Sequence, residues 1–243
     1  MTQWQAVRLV GVHILKREWI GVVATLIFAL YCGFVSGSMI GEYFHKANPP
    51  GAIMSLVDLM YIVVYPFFGT IMNRSVMTIC REDAYSKRIA VLRALPISFR
   101  AILQARLLQS FIMIPIIGGV SLIFQYVLYS KIREALSWTE WLTFTLLVLT
   151  YSLIAGTLYF VIESVCNGKQ YVIVYTIMMF VVIAVGITIN LLGKSLFERV
   201  MTFVQSGSAT IGWMLALLVL VCVINWLGYN FTLRRIKSRS IML

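Results

Sequence analysis

Long runs without charged residues dominate the pattern of this chain. Five stretches contain no Asp, Glu, Lys or Arg, and a sixth is interrupted only by Asp58. Each stretch covers the ~20 residues that a helix needs to cross ~30 Å of hydrocarbon. Because hydrocarbon offers the backbone no hydrogen-bond partner, such segments must be helices. The pattern therefore predicts an all-α membrane protein with six transmembrane helices, at about 19–41, 53–73, 107–130, 141–162, 170–193 and 211–233.

The charged residues are distributed unevenly between the two faces that these spans define. Most of the 20 lysines and arginines lie in residues 1–18, in the segment 74–106, after the fourth span or in the tail 234–243. The whole net charge of +11 falls on that face. Short loops rich in Lys and Arg stay in the cytoplasm, so we predict a multi-pass protein with both termini cytoplasmic. The basic excess thus has a topological reason, and we expect no nucleic-acid partner.

The first 18 residues predict a helix that lies in the membrane interface. Trp4, Val7, Val10 and Ile14 recur at spacings of three and four, which places them on one face of a helix. Lysines and arginines lie mostly elsewhere around that helix. We expect the helix to rest on the inner surface of the membrane, with its cations near anionic lipid headgroups.

The segment 74–106 is the longest polar stretch between two predicted spans, and it has a helical pattern from Glu82 to Ala94. Its apolar face comprises Tyr85, Ile89 and Leu92, and its charged residues include Glu82, Lys87, Arg88 and Arg93. Pro96 should end this helix, and Ser98 is placed to cap a second helix that runs into the third span. A linker needs no apolar face, so we infer that this helix docks on a partner protein.

The connection 194–210 between the last two spans also has a helical pattern. Leu196, Val200 and Val204 recur at a spacing of four before a short polar cluster. We predict a short helix at the outer membrane surface or dipping into it. The alternative is an ordinary loop with scattered apolar residues.

Two carboxylates lie near membrane depth and are candidates for a translocation path. Asp58 interrupts the second span, and Glu163 lies at the inner end of the fourth. Burying either charge is costly, so each should face water, a partner or the interior of the bundle. For Asp58 the alternative is a position at the level of the outer headgroups.

The residues needed for enzymatic chemistry are few. The two histidines, His13 and His45, lie outside the spans, so neither a histidine metal site nor a Ser-His nucleophile can form at membrane depth. The four cysteines have no zinc or redox spacing. Gly193-Lys194-Ser195 resembles the end of a phosphate-binding loop, but Thr188 stands where the motif needs glycine. We therefore expect no catalytic residues, metal or cofactor in this chain.

The order of these parts resembles a known family. An interfacial helix, two spans, a basic cytoplasmic helix ending in Leu-Pro, four more spans and a basic tail are similar to the membrane subunit of an ABC-2 type transporter, a bacterial exporter permease. The most characteristic stretch runs from Arg81-Glu82-Asp83 through Ala94-Leu95-Pro96-Ile97-Ser98 to Arg106. In this family an acidic residue, a short coupling helix and a Leu-Pro turn precede the third span.

The resemblance implies a permease of the bacterial plasma membrane without an ATPase of its own. It would pair with a second copy or a paralogue and work with two separately encoded ATPase subunits, which carry ATP and Mg. Residues Glu82, Tyr85, Lys87, Arg88, Ile89, Leu92 and Arg93 would contact the ATPase as the coupling helix. Permeases of this size often export peptide antibiotics or other amphipathic compounds. The competing interpretation is a membrane-embedded enzyme or a membrane protein without a transport role.

Overall fold

A computed structural model describes residues 2–45, 51–69, 98–166, 168–191, 193, 195–207 and 211–237. Every regular element within these ranges is a helix, as predicted. The helices are α1 (Gln3–Arg17), α2 (Trp19–His45), α3 (Gly51–Leu59), α4 (Phe99–Met113), α5 (Gly119–Leu128), α6 (Ser130–Ala135), α7 (Trp138–Val165), α8 (Gly168–Leu191), α9 (Leu196–Gln205) and α10 (Ile211–Lys237). The predicted coupling helix, with Tyr85, Ile89 and Leu92, lies outside the described residues.

Within the described part of the chain, five helices are long and apolar enough to cross a membrane. They are Trp19–His45, Arg100–Leu128, Trp138–Val165, Lys169–Asn190 and Leu215–Arg235. The second predicted span corresponds to a shorter apolar helix, Ile53–Phe67. Residues 70–97 lie outside the described part of the chain, so six complete spans remain a prediction. The long helices expose large apolar side chains such as those of Ile27 and Phe180, which suits contact with lipid.

Two of the spans contain a π-helical turn. The turn Met60–Val64 joins α3 to a last helical segment, Tyr65–Phe67, and the turn Ile114–Gly118 joins α4 to α5. The second contains Pro115, which has no backbone N–H and therefore cannot continue the regular hydrogen-bond ladder. Such turns leave carbonyl groups free for other donors.

The helix entering the third span begins where the sequence predicted. Ser98 is the N-cap of α4, and its hydroxyl accepts a hydrogen bond from the Ala101 N–H at 3.4 Å. This bond satisfies one of the N–H groups that the first turn of a helix leaves without an intrahelical partner.

The largest apolar core lies between α2, α3, α5, α7 and α9. Each helix contributes side chains that are almost fully buried, among them Cys32, Val57, Leu122, Phe144 and Phe197. Because α9 contributes to this core, it is packed into the helix bundle rather than being a free loop.

Small residues bring neighbouring helices close together. A Cβ atom on Gly37 of α2 would lie 2.4 Å from the ring of Tyr129. At a second contact, a Cβ atom on Gly228 of α10 would lie 2.6 Å from the Thr157 side chain of α7. No side chain larger than hydrogen fits at these two positions without a shift, which is how small residues allow close packing of apolar helices.

The structure has a helix, α1, in the N-terminal segment, and its apolar stripe contacts protein. Val7, Val10 and Ile14 are buried against α4, around Ala101 and its neighbours, whereas Trp4 is 76% exposed. A stripe of apolar residues on a helix is satisfied equally by lipid or by another helix, so the sequence pattern did not distinguish the two. The position of α1 in a membrane interface stays a prediction.

Candidate functional site around helix α9

The N-terminus of α9 is held by a set of polar contacts that begins with its own capping residues. The Ser195 hydroxyl accepts a hydrogen bond from the Glu198 N–H at 3.1 Å, and the Glu198 carboxylate accepts one from the Ser195 N–H at 3.1 Å. This reciprocal arrangement is a capping box. It leaves the N–H groups of Leu196 and Phe197 to be satisfied from elsewhere.

Asp58 of α3 supplies both missing acceptors. Its Oδ2 accepts from the Leu196 N–H at 2.9 Å, and its Oδ1 accepts from the Phe197 N–H at 2.7 Å. The Asp58 side chain is only 3% exposed, so its charge is balanced mainly by these two donors and by the positive end of the α9 dipole. We call Asp58, Ser195, Phe197 and Glu198 the α9 anchor.

Aromatic contacts fix the same end of α9. The Phe197 ring lies edge-on to Tyr43 at 5.6 Å and to Phe144 at 5.7 Å, and it is stacked with Tyr61 at 6.1 Å. These rings belong to three other helical segments, from α2, the π-turn after α3, and α7. Aromatic pairs at such distances add to the free energy gained from burial alone. The N-terminus of α9 is therefore fixed both by charge and by packing.

The buried face of α9 shares only Val204 with the predicted stripe. Phe197, Met201 and Val204 are buried, whereas Leu196 and Val200 are partly exposed. Leu196 and Val200 border a cavity of about 420 Å³ that also contacts α7 and α8. The predicted helix in this connection thus contributes one face to the core and a second face to a cavity.

A polar network lies inside the bundle beside the anchor. The Gln125 amide accepts a hydrogen bond from the Tyr61 hydroxyl at 2.8 Å and donates to Ser36 at 2.9 Å and to Tyr65 at 2.6 Å. The Tyr65 and Ser121 hydroxyls are 3.2 Å apart. All five side chains are buried. Ser36, Tyr61, Tyr65, Ser121 and Gln125 therefore form a network that joins α2, α3 with its extension, and α5.

The directions of the hydrogen bonds in this network are consistent from end to end. Both N–H groups of the Gln125 amide are used, and the Ser36 and Ser121 hydroxyls donate in turn to the carbonyls of Cys32 and Ala29. Each donor thus has an acceptor, and the chain ends on backbone oxygens. Buried networks that are fully satisfied fix the relative position of the helices that carry them.

Glu163, the second predicted carboxylate, pairs with a cation of a neighbouring helix. The Arg106 guanidinium of α4 donates to the Glu163 carboxylate of α7. Both side chains are mostly buried, at 16% and 13% exposure. This ion pair joins the third and fourth predicted spans at the end of α7 where Glu163 lies.

The structure therefore gives both predicted carboxylates partners within the chain, and it places them in separate contacts. Their role beside a translocation path stays a prediction. The other predicted site residues lie outside the described part of the chain: Glu82, Tyr85, Lys87, Arg88, Ile89, Leu92 and Arg93. Sequence reasoning missed the network around Gln125. The signal available was a glutamine inside a run without charges, at a depth where an amide needs partners.

The described residues contain no group of three or more His, Cys, Asp or Glu side chains that could hold a metal ion. The described cysteines, Cys32, Cys166 and Cys222, are free thiols. What this region provides is a set of fixed contacts between apolar helices and a cavity beside them.

Comparison with known proteins identifies the family. A family model described as an ABC-2 family transporter protein matches residues 48–237. A search of curated proteins and a search of solved structures gave no match. The matched range covers most of the chain, and it contains α3 to α10 together with the segment 74–106. With its long apolar helices, this chain is a multi-pass membrane protein that belongs to the ABC-2 family of transporter proteins.

Proposed function

We propose that this chain is the permease subunit of a bacterial ABC exporter, which forms the translocation path and uses ATP hydrolysed by separate subunits. The observation that carries the proposal is the family match, which includes the apolar helices from α3 onward and the segment between the second and third spans in one unit. The sequence contains no complete phosphate-binding loop of its own. ATP and Mg would therefore be bound by two partner ATPase subunits.

The predicted coupling helix is the proposed contact with the ATPase. Tyr85, Ile89 and Leu92 share one face of a helix that has no bilayer to cross. Leaving that face in water would cost roughly 25 cal/mol per Å² of apolar surface, so a partner should cover it. Glu82, Lys87, Arg88 and Arg93 would add polar contacts at the rim, where single charges contribute little affinity.

A pair of matched double variants tests this contact. Ile89→Asp with Leu92→Asp would place carboxylates on the apolar face, and Ala90→Asp with Val91→Asp would place the same charge on the opposite face. We expect both to enter the membrane, and only the first to lose co-purification with the ATPase and to lose transport. Burying unpaired carboxylates costs several kcal/mol, enough to outweigh a small interface. Normal assembly of the first variant would contradict the assignment of the coupling helix.

The proposed orientation places both termini in the cytoplasm. Positions on either side of the predicted spans allow it to be measured with single cysteines in a chain whose native cysteines are replaced. We expect Ser130→Cys and Gln205→Cys to react with an impermeant maleimide in intact cells, and Ser86→Cys to react only after lysis. Labelling of the cysteine at position 86 from outside would reverse the topology.

Two further features of the proposal concern the path and the assembly. The permease would pair with a second copy or a paralogue, and its substrate would be a peptide antibiotic or another amphipathic compound. If Asp58 and Glu163 border the path, Asp58→Asn and Glu163→Gln should change transport while the complex stays assembled. Unchanged transport in both variants would limit the two carboxylates to holding helices in place.

A further inference from the structure

The apolar cavity beside the α9 anchor has walls from four helical segments. Its volume is about 420 Å³, within the range of roughly 300–1,000 Å³ that is typical of ligand sites. The walls come from α3 with its π-turn, from α7, from α8 and from α9. Its lining includes Asp58, Tyr61 and Tyr151, together with valines of α7, α8 and α9. A second cavity of about 470 Å³ lies between α3 and α8 and shares Asp58, Ile62 and Val182 with the first.

Each polar side chain that lines the first cavity has a partner within the protein. The Asp58 carboxylate is bound by two N–H groups of α9. The Tyr61 hydroxyl donates to Gln125 at 2.8 Å, and the Tyr151 hydroxyl donates to the carbonyl of Ile62 in the π-turn at 2.8 Å. The other lining side chains are aliphatic or aromatic. An occupant of this cavity would therefore find apolar surface and no polar side chain that lacks a partner.

This chemistry excludes water as a stable occupant and favours hydrocarbon. A buried water molecule needs two to four polar partners, which the lining does not offer. An empty space of this size would deprive the lining atoms of dispersion contacts, at a cost that grows with its volume. In a bilayer, the component that supplies apolar atoms without polar ones is the acyl chain of a lipid.

The cavity opens at a surface from which a lipid acyl chain could enter. Val181 and Val185 of α8 line the cavity and are 55% and 51% exposed. The most apolar stretch of α8 has no buried residue within the described structure. The cavity is thus continuous with a surface that lipid would cover in a bilayer.

We propose that the cavity between α3, α7, α8 and α9 is a binding site for one acyl chain of a membrane phospholipid. The headgroup stays outside the cavity, because each polar side chain of the lining already has a partner in the protein. The site is independent of the proposed exporter function, since its ligand is a component of the bilayer and not the transported compound.

The test uses a phospholipid that carries a photoreactive diazirine near the end of one acyl chain. The full-length permease is reconstituted in vesicles of phosphatidylethanolamine and phosphatidylglycerol, and the adducts are located by mass spectrometry. We expect more adducts at Val148 of α7 than at Ile173 of α8. Val148 lines the cavity and is 8% exposed, whereas Ile173 is outside the cavity and is 59% exposed. Equal or lower labelling at Val148 would show ordinary surface contact only, and would overturn the proposal.

Variants that fill the cavity provide a second measurement. Val182→Trp from α8 and Val200→Trp from α9 should each lower the number of adducts at Val148 by about fivefold or more. The indole would fill the volume of the cavity that the acyl chain needs. Ile173→Trp adds the same side chain outside the cavity and should leave those adducts unchanged. Unchanged labelling in both cavity variants would contradict the site. Loss of the adducts when the permease pairs with a second copy would show that protein covers the cavity instead.

Discussion

Removing the Asp58 carboxylate should release the N-terminus of α9. Asp58→Ala deletes two charge-assisted hydrogen bonds, of 2.9 Å and 2.7 Å, to the N–H groups of Leu196 and Phe197. Hydrogen bonds to a charged group contribute about 1.5–3 kcal/mol each. Because Leu196 is partly exposed and water can satisfy part of its loss, we take the lower end of that range for both bonds. The expected loss is about 3 kcal/mol of the free energy that docks α9.

Hydrogen–deuterium exchange of the peptide Leu196–Gln205 measures this loss directly. A loss of about 3 kcal/mol corresponds to a roughly 100-fold faster exchange through local opening. Asp58→Asn keeps one acceptor oxygen but turns an amide N–H₂ toward the second N–H, so it should give about half of that loss. Ser195→Ala removes one cap and should cost about 1 kcal/mol. The expected order of exchange rates in α9 is Asp58→Ala, then Asp58→Asn, then Ser195→Ala, then the unmodified chain.

The control for this experiment is a change in the same cavity that leaves the α9 anchor intact. Tyr151→Phe removes the hydrogen bond to the carbonyl of Ile62 and no hydrogen bond to α9. We expect exchange in α9 to stay as in the unmodified protein. If Asp58→Ala and Tyr151→Phe give the same exchange in α9, then Asp58 does not hold this helix and the reasoning from the two short hydrogen bonds is refuted.

Three further predictions concern the bundle itself and are measured by thermal unfolding of the purified protein. Gly37→Ala should destabilise it by about 1–3 kcal/mol, because the added Cβ overlaps a tyrosine ring. At Gly119 a Cβ meets nothing within 4 Å, so Gly119→Ala should be neutral or stabilising by up to ~1 kcal/mol. Equal effects of the two substitutions would contradict the close-packing argument. Gln125→Leu should cost about 1–3 kcal/mol for each hydroxyl that loses its buried partner, and an unchanged midpoint would show that the network adds no stability. Glu163→Gln should reduce the free energy of unfolding by less than the ~3–5 kcal/mol of a fully buried pair. The exchange Arg106→Glu with Glu163→Arg should recover part of that loss; no recovery would show that the pair itself is not what stabilises this contact.

Much of the architecture could be predicted, because the sequence signals that define a helix lie within the helix or within a few residues of its ends. Runs without charges predicted the long apolar helices, since hydrocarbon tolerates neither free backbone groups nor unpaired charges. Ser98 predicted the start of α4, because a cap acts on residues only three positions away. The spacing of Leu196, Val200 and Val204 predicted α9, although Phe197 and Met201 are buried in place of Leu196 and Val200.

The sequence by itself determined that the described long segments are apolar helices suited to a membrane. Tertiary structure decided which helices meet, and therefore what each polar residue does. Asp58 and the N–H of Leu196 are 138 positions apart, and Tyr61 and Gln125 are 64 apart. Hydrophobic periodicity predicts that one face of a helix is covered, but it does not predict which partner covers it. The apolar stripe of α1 therefore indicated lipid in the sequence, whereas in the structure it contacts α4. Partners for buried polar groups are chosen by the packing of distant helices, because only there do a donor and an acceptor come within hydrogen-bond distance.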